Sequence, residues 1–259
     1  MNYEKRFRTE VGERLRPLND LSLLTLEDIH PLPEPVQKYL MYVGALGKPM
    51  IQNIRVDFHG SMKRNRKSDW MAIHSQQYNF FEEPSRFFYI RAKMFGIPFD
   101  GLHVYAGNDA TMQIRVASMF QVVDARGDNM SSGETVTVLN DMCCFAPSTL
   151  ITKNIRWETI DALTVRAKFK NNKITVSAIL KFNIKGELIG FISDDRYYCE
   201  DGKTYLAYRW STPIRDYKDI DGRKVPAYGE AIWHMPDEEE FCYAKFNLKG
   251  IEYNCTEFK

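Results

Sequence analysis

From Met50 onward the apolar residues of this chain recur at every second position, the spacing of a β-strand with one covered face, and the clear patterns up to the C-terminus keep that period. Ile54, Val56 and Phe58 alternate with Arg55 and Asp57, and Phe88, Ile90, Ala92 and Met94 alternate with Phe87, Tyr89, Arg91 and Lys93. Leu102, Val104 and Ala106 continue the pattern, as do Met112, Ile114 and Val116. The cleanest stretch runs through Leu163, Val165, Ala167 and Phe169, turns at Asn171-Asn172, and returns through Ile174, Val176, Ala178, Leu180, Phe182 and Ile184. Arg166, Lys168, Lys170, Thr175 and Lys181 stand between them, so one face is apolar and the other wet. Asparagine tolerates positive φ, which predicts a hairpin over residues 162–184. Further turn signals at Lys185-Gly186, Asp201-Gly202, Asp221-Gly222 and in the acidic run 237–240 separate strand-like stretches, so sequential strands are neighbours in an antiparallel meander. About eleven strands are too many for a flat sheet. The expected fold is mainly β, a strongly curved antiparallel sheet or open half-barrel whose concave side is filled by helices, side chains or a ligand.

Helical periods frame this sheet. Phe7, Val11, Leu15 and Leu18 form one stripe over residues 3–18, ended near Pro17. Glu4, Glu10 and Glu13 offset its basic charge, which favours a helix docked on the protein over one lying on a membrane. Thr25-Leu26-Glu27-Asp28 has the pattern of a capping box, and Pro33-Glu34-Pro35 opens a helix over residues 33–43 with Val36, Tyr39, Leu40 and Val43 on one face. A helical insert near residues 133–151 places Val136, Leu139 and Cys143 on one side. With no linker, repeat or composition break, residues 1–259 read as one domain, a helical segment over 1–47 and the meander with its insert over 50–254.

Composition removes several function classes. Lys and Arg total 35 against 34 Asp and Glu, so the chain lacks the basic surface that nucleic acid requires. His30, His59, His74, His103 and His234 are far apart and five cysteines show no C-x-x-C spacing, so no metal site is expected and the thiols read as reduced. Cys143 and Cys144 are read as buried small hydrophobes rather than nucleophiles. Dinucleotide, P-loop and serine-hydrolase signatures are absent, so no cofactor and no catalytic residue is assigned. No run reaches membrane-span length and the N-terminus lacks a signal-peptide core, so the chain as written is expected in the cytoplasm. What the composition offers instead is 4 Trp, 14 Tyr and 16 Phe, suited to the walls of a pocket.

In Ser193-Asp194-Asp195-Arg196-Tyr197-Tyr198, Asp194 and Arg196 share strand parity with Leu188, Gly190 and Ile192. Unbroken alternation would point both into the concave side, either as a structural ion pair or as a polar anchor in which Arg196 holds an anionic head group. Leu206, Tyr208 and Trp210 share one parity just before Pro213, an arrangement suited to a pocket mouth or to a capped strand end. The candidate ligand-binding set is therefore Asp194, Arg196, Tyr198, Tyr208 and Trp210. Glu230 and His234 share a strand face but stand about 13 Å apart, too far for a direct acid–base pair, and His103 with Tyr105 lies on the polar side of its strand.

Taken in order, Leu32-Pro33-Glu34-Pro35-Val36-Gln37-Lys38-Tyr39-Leu40, Val43-Gly44, residues 140–147, Thr149-Leu150, residues 193–197, Trp210-Ser211-Thr212-Pro213 and Ile251-Glu252-Tyr253-Asn254 resemble an uncharacterised bacterial domain-of-unknown-function family. The resemblance implies no activity. Members often carry an N-terminal membrane helix, which implies a membrane-anchored or extracytoplasmic setting if an anchor precedes Met1. The architecture is also similar to the open half-barrels of lipoprotein carriers. The leading reading is a binder of a lipid-like or other hydrophobic small molecule in the cavity of a curved sheet. The alternatives are a hydrolase-like enzyme using Asp194 or Asp195 with His103 or His234, favoured by a His clustered with an acid, and a protein-interaction domain, favoured by a filled core and an exposed apolar patch.

Overall fold

A computed structural model of the chain describes residues 2–18, 21–94, 96–107, 109–116, 120–199, 204–236 and 239–259. The turns expected at Asp201-Gly202 and at Asp237 lie outside them. Helices α1 (Tyr3–Gly12), α2 (Leu26–Ile29) and α3 (Glu34–Tyr42) precede strands β1 (Asn53–Met62), β2 (Met71–Phe80), β3 (Ser85–Met94), β4 (Ile97–Ala106), β5 (Asp109–Val116) and β6 (Phe120–Arg126). Helix α4 (Asp128–Phe145) and a 3-10 turn (Pro147–Ile151) follow. The chain ends with β7 (Ile155–Asp161), β8 (Thr164–Asn171), β9 (Ile174–Phe182), β10 (Leu188–Ser193), β11 (Tyr197–Tyr198), β12 (Leu206–Ala207), β13 (Arg209–Ile220), β14 (Arg223–His234) and β15 (Phe241–Tyr253).

Thirteen strands form one sheet in the order β6-β5-β4-β3-β2-β1-β15-β14-β13-β10-β9-β8-β7, and every pair in it is antiparallel, while β11 and β12 pair apart. The chain walks outward from the centre to one edge at β6, crosses to the other edge at β7, and walks back until β15 joins β1. Helix α4 is that crossing. A flat sheet of this width would hold its edges roughly 60 Å apart at the usual strand spacing, whereas an 18-residue helix spans about 27 Å. The sheet must curl to meet it, and α4 packs against β5 and β6 of one arm and β9 and β10 of the other. Asn171 Nδ2 of β8 donates to Tyr105 Oη of β4 at 2.8 Å, across the concave side. No ladder joins β6 to β7 among the described residues, so the sheet stays open.

The local signals act as their chemistry dictates. Thr25 and Asp28 form a reciprocal capping box, and α3 buries Val36, Tyr39 and Leu40. Asn171 pairs with Ile174, which puts the hairpin turn at Asn172-Lys173, one residue later than expected, with Asn172 at φ 51°. Asp221 and Gly222 both take positive φ and close a two-residue turn between β13 and β14. Helix α1 stops at Gly12, short of the expected residue 18, because glycine is a poor interior residue and Pro17 disfavours helix just before it. It docks on the convex face, where Phe7 meets Tyr78, Tyr89 and Phe258. Helix α4 starts at Asp128, earlier than its apolar pattern suggests, and is buried on nearly every side from Ser131 to Cys144, so it carries no single stripe. No helix among the described residues is long and apolar enough to cross a membrane.

Candidate functional site

A cavity of about 350 Å³ lies between α4 and the inner faces of β3, β4, β13 and β14. Phe58, Phe88, Phe145, Trp210, Trp233 and Phe246 contribute its rings. On β14 the inward parity is Ala227, Gly229 and Ala231, so there the wall is nearly bare backbone. Small residues at alternate positions of one strand, opposite aromatic ones, leave the space that a packed core would fill.

One end of this cavity is polar. Glu134, Thr137 and Asp141 lie at i, i+3 and i+7 on α4 and so share a side of the helix, facing Gln77 and Asn79 of β2, Arg86 of β3 and His103 of β4. Asp141 Oδ2 accepts from Gln77 Nε2 (2.8 Å), Asn79 Nδ2 (2.9 Å) and Arg86 Nε (2.9 Å). Arg86 also reaches Glu134 Oε2 at 3.3 Å and donates to Gln77 Oε1 at 2.9 Å. From the segment after β10, Arg196 Nη1 donates to Thr137 Oγ1 at 2.6 Å, its Nη2 lies 3.8 Å from Glu134 Oε1, and its guanidinium stacks 4.2 Å from the Trp210 ring. Both carboxylates are buried, which is tolerable only because two guanidiniums and several amides meet them.

Electrostatics sorts these groups. Burial opposes ionisation of Glu134, but the positive charge of His103 when protonated, of Arg86 and of Arg196, with the Thr137 hydroxyl, outweighs it and holds the carboxyl below its ordinary range. Burial pushes the Asp141 carboxyl up, against the pull of Arg86 and Asn79. His103 is driven down to about 4, first by burial and further by Arg86 and Arg196, with Glu134 opposing. It is neutral at pH 7 and lies 3.5 Å from Glu134 Oε1 through Nε2.

Of the sequence-derived set, Arg196 and Trp210 line the cavity. Tyr198 packs edge-on against Trp233 and beside Tyr208, so this aromatic pair stands at the back of a lining ring. The expected sharing of one face by Asp194 and Arg196 is corrected. A bulge between Leu188 and Gly190 inverts the parity of β10, so that Phe191 and Ser193 face inward, and the strand ends before either charge. Asp194 points outward to Arg209 (2.9 Å), while Asp195 accepts from the Ser177 backbone N–H at 2.6 Å. His103 and Tyr105 are also corrected: their side of β4 faces α4, not solvent. Glu134, Asp141, Arg86, Gln77 and Asn79 escaped the sequence reading, although alternate polar residues on β2 and the i, i+3, i+7 spacing on α4 carry a signal.

The model of DUF6544, a family of unknown function, matches residues 22–246. The chain belongs to that family. No curated protein matches it. Among solved structures it is similar to a DUF1329 family protein from Desulfovibrio piger, at 11% identity over 85% of this chain and 91% of that one, with a TM-score of 0.45. A LolA superfamily protein from Nitrosomonas europaea matches at 11% identity over 84% and 93%, TM-score 0.41. A protein described as an outer membrane lipoprotein-sorting domain from Vibrio parahaemolyticus matches at 9% identity over 85% and 91%, TM-score 0.44.

In this DUF6544 member the second histidine sits elsewhere. His234 Nε2 lies 2.7 Å from Ser211 Oγ and its Nδ1 lies 3.0 Å from Glu240, a serine–histidine–acid order on the convex face, away from the cavity. Ser211 pairs with Ile192 on one side and Ile232 on the other.

Proposed function

We propose that this DUF6544 protein binds an apolar, lipid-like small molecule between α4 and the concave face of its sheet. The observation that carries the reading is the cavity itself, walled by rings and by the bare inner face of β14. Away from its polar end the walls offer water few partners, so a hydrophobic occupant gains by displacing that water. A protein-interaction domain called for a filled core, and the cavity speaks against it.

The test is native mass spectrometry of the purified chain, followed by organic extraction and titration with alkyl compounds. A recurrent apolar adduct, lost when Ala231→Phe fills the wall, supports the proposal. A chain that carries no adduct and takes up none of the added compounds overturns it.

A further inference from the structure

We infer that the cavity is built for an uncharged amphiphile, whose apolar body lies against Trp210, Trp233 and Phe246 and whose one polar end is a hydroxyl or carbonyl beside His103. This rests on the cavity reading and names the class of its ligand. The argument is one of charge. Among the described lining residues, the carboxylates Glu134 and Asp141 are matched by Arg86 and Arg196 through the contacts above. Glu230, on another part of the wall, is held by Tyr228 Oη at 2.6 Å and by Arg215 at 3.5 Å. The polar end is therefore already neutral as a whole. A ligand carboxylate or phosphate would place an unmatched negative charge near Glu134, and an ammonium would face Arg86 and Arg196; either ion would also lose its hydration.

Among the described lining residues, His103 Nε2 and Arg196 Nε are the buried polar atoms left without a hydrogen-bond partner. The His103 ring lines the cavity with 15% of its side chain exposed, while its Nε2 is itself buried, 3.5 Å from Glu134 Oε1. A neutral imidazole carries one donor and one acceptor, so a hydroxyl can meet either nitrogen and a carbonyl can meet the donor, in both cases without bringing a charge. Leaving a buried group unmet is costly, so a polar end beside the exposed edge of His103, met by a small turn of that ring, gains by completing it.

The experiment compares decanol, decanoate and decylammonium, three chains of equal length, by calorimetric titration of the full chain at neutral pH. Decanol should bind about tenfold tighter than either ion, His103→Gln should keep most of the decanol affinity, and His103→Phe should weaken decanol severalfold while both ions stay weak. Glu134→Gln leaves an excess of positive charge and should shift the preference toward decanoate, with a thermal melt confirming that the variant is folded. Decanoate or decylammonium binding the unaltered chain as tightly as decanol overturns the neutral head group and leaves the cavity reading standing. Binding of none of the three overturns both.

Discussion

Strands β2 to β4 and strands β8 to β9 flank the same helix and obey opposite rules. In β8 and β9 the inner face is Val165, Ala167, Phe169, Val176, Ala178 and Leu180, all buried, and lysines and an arginine cover the outside. In β2 to β4 the inner face carries Gln77, Asn79, Arg86 and His103, while Tyr78, Phe87, Tyr89, Leu102 and Val104 point outward and are buried under α1. A sheet needs one dry face to be stable. By drying the outer face, α1 and Phe258 release the inner face of that arm from the core and leave it free to hold charge. The candidate site exists because one arm of the sheet is turned inside out.

The sharpest way to break this contrast is to remove a charge from the inverted arm. Arg86→Met leaves Asp141 and Glu134 buried with a guanidinium gone, and we expect a loss of about 3–5 kcal/mol in urea unfolding. A loss below about 1 kcal/mol would mean that the cluster is solvated and the arm is not inverted energetically. In the conventional arm, Leu180→Ala should cost roughly 2–5 kcal/mol as a core truncation and leave uptake of decanol unchanged. If it abolished uptake instead, the site would extend beyond the polar arm.

Next in size is a pH effect confined to the inverted arm. His103 ionises near 6.5 when unfolded and at about 4 when folded. Above pH 6.5 both states are neutral there and the residue contributes nothing to the pH dependence. As pH falls from 6.5 toward 4 the unfolded chain takes up the proton first, so stability falls, by on the order of 3 kcal/mol across the window. Stability measured against pH for the unaltered chain and for His103→Gln isolates the effect, because other carboxylates contribute to both. Parallel curves would show that His103 is solvated and charged like any surface histidine.

The same contrast explains what could be read from the sequence. The β8–β9 hairpin, the capping box at Thr25 and the buried face of α3 were legible because apolar period and burial agree there. In β3, Phe87, Phe88 and Tyr89 are consecutive and all buried, so alternation cannot say which side is inside. His103 and Tyr105 read as the wet side of β4 because only tertiary structure sets α1 on the other face. Roughly eleven strands were expected and fifteen are found among the described residues, the excess including the two-residue β11 and β12, too short to carry a period. Glu134 and Asp141 escaped because a helix buried all round carries no contrasting face.

The smallest expected effect tests the parity argument for Asp194 and Arg196. Arg196 and Arg209 both follow β10, but the first is 15% exposed between Thr137, Glu134 and Trp210, and the second is 55% exposed beside Asp194, itself 64% exposed. Exposed pairs of this kind are screened by water and contribute about 0–1 kcal/mol. Asp194→Asn should therefore shift the unfolding midpoint little and leave decanol binding unchanged, whereas Arg196→Met should weaken both, because it strips Glu134 of a counter-charge and Trp210 of its stacked cation. Matched melts and titrations of the two single variants decide the point. If Asp194→Asn cost as much as Arg196→Met, or altered ligand uptake, the bulge at Leu188 and Gly190 would not reverse the strand, and Asp194 would belong to the inner face after all.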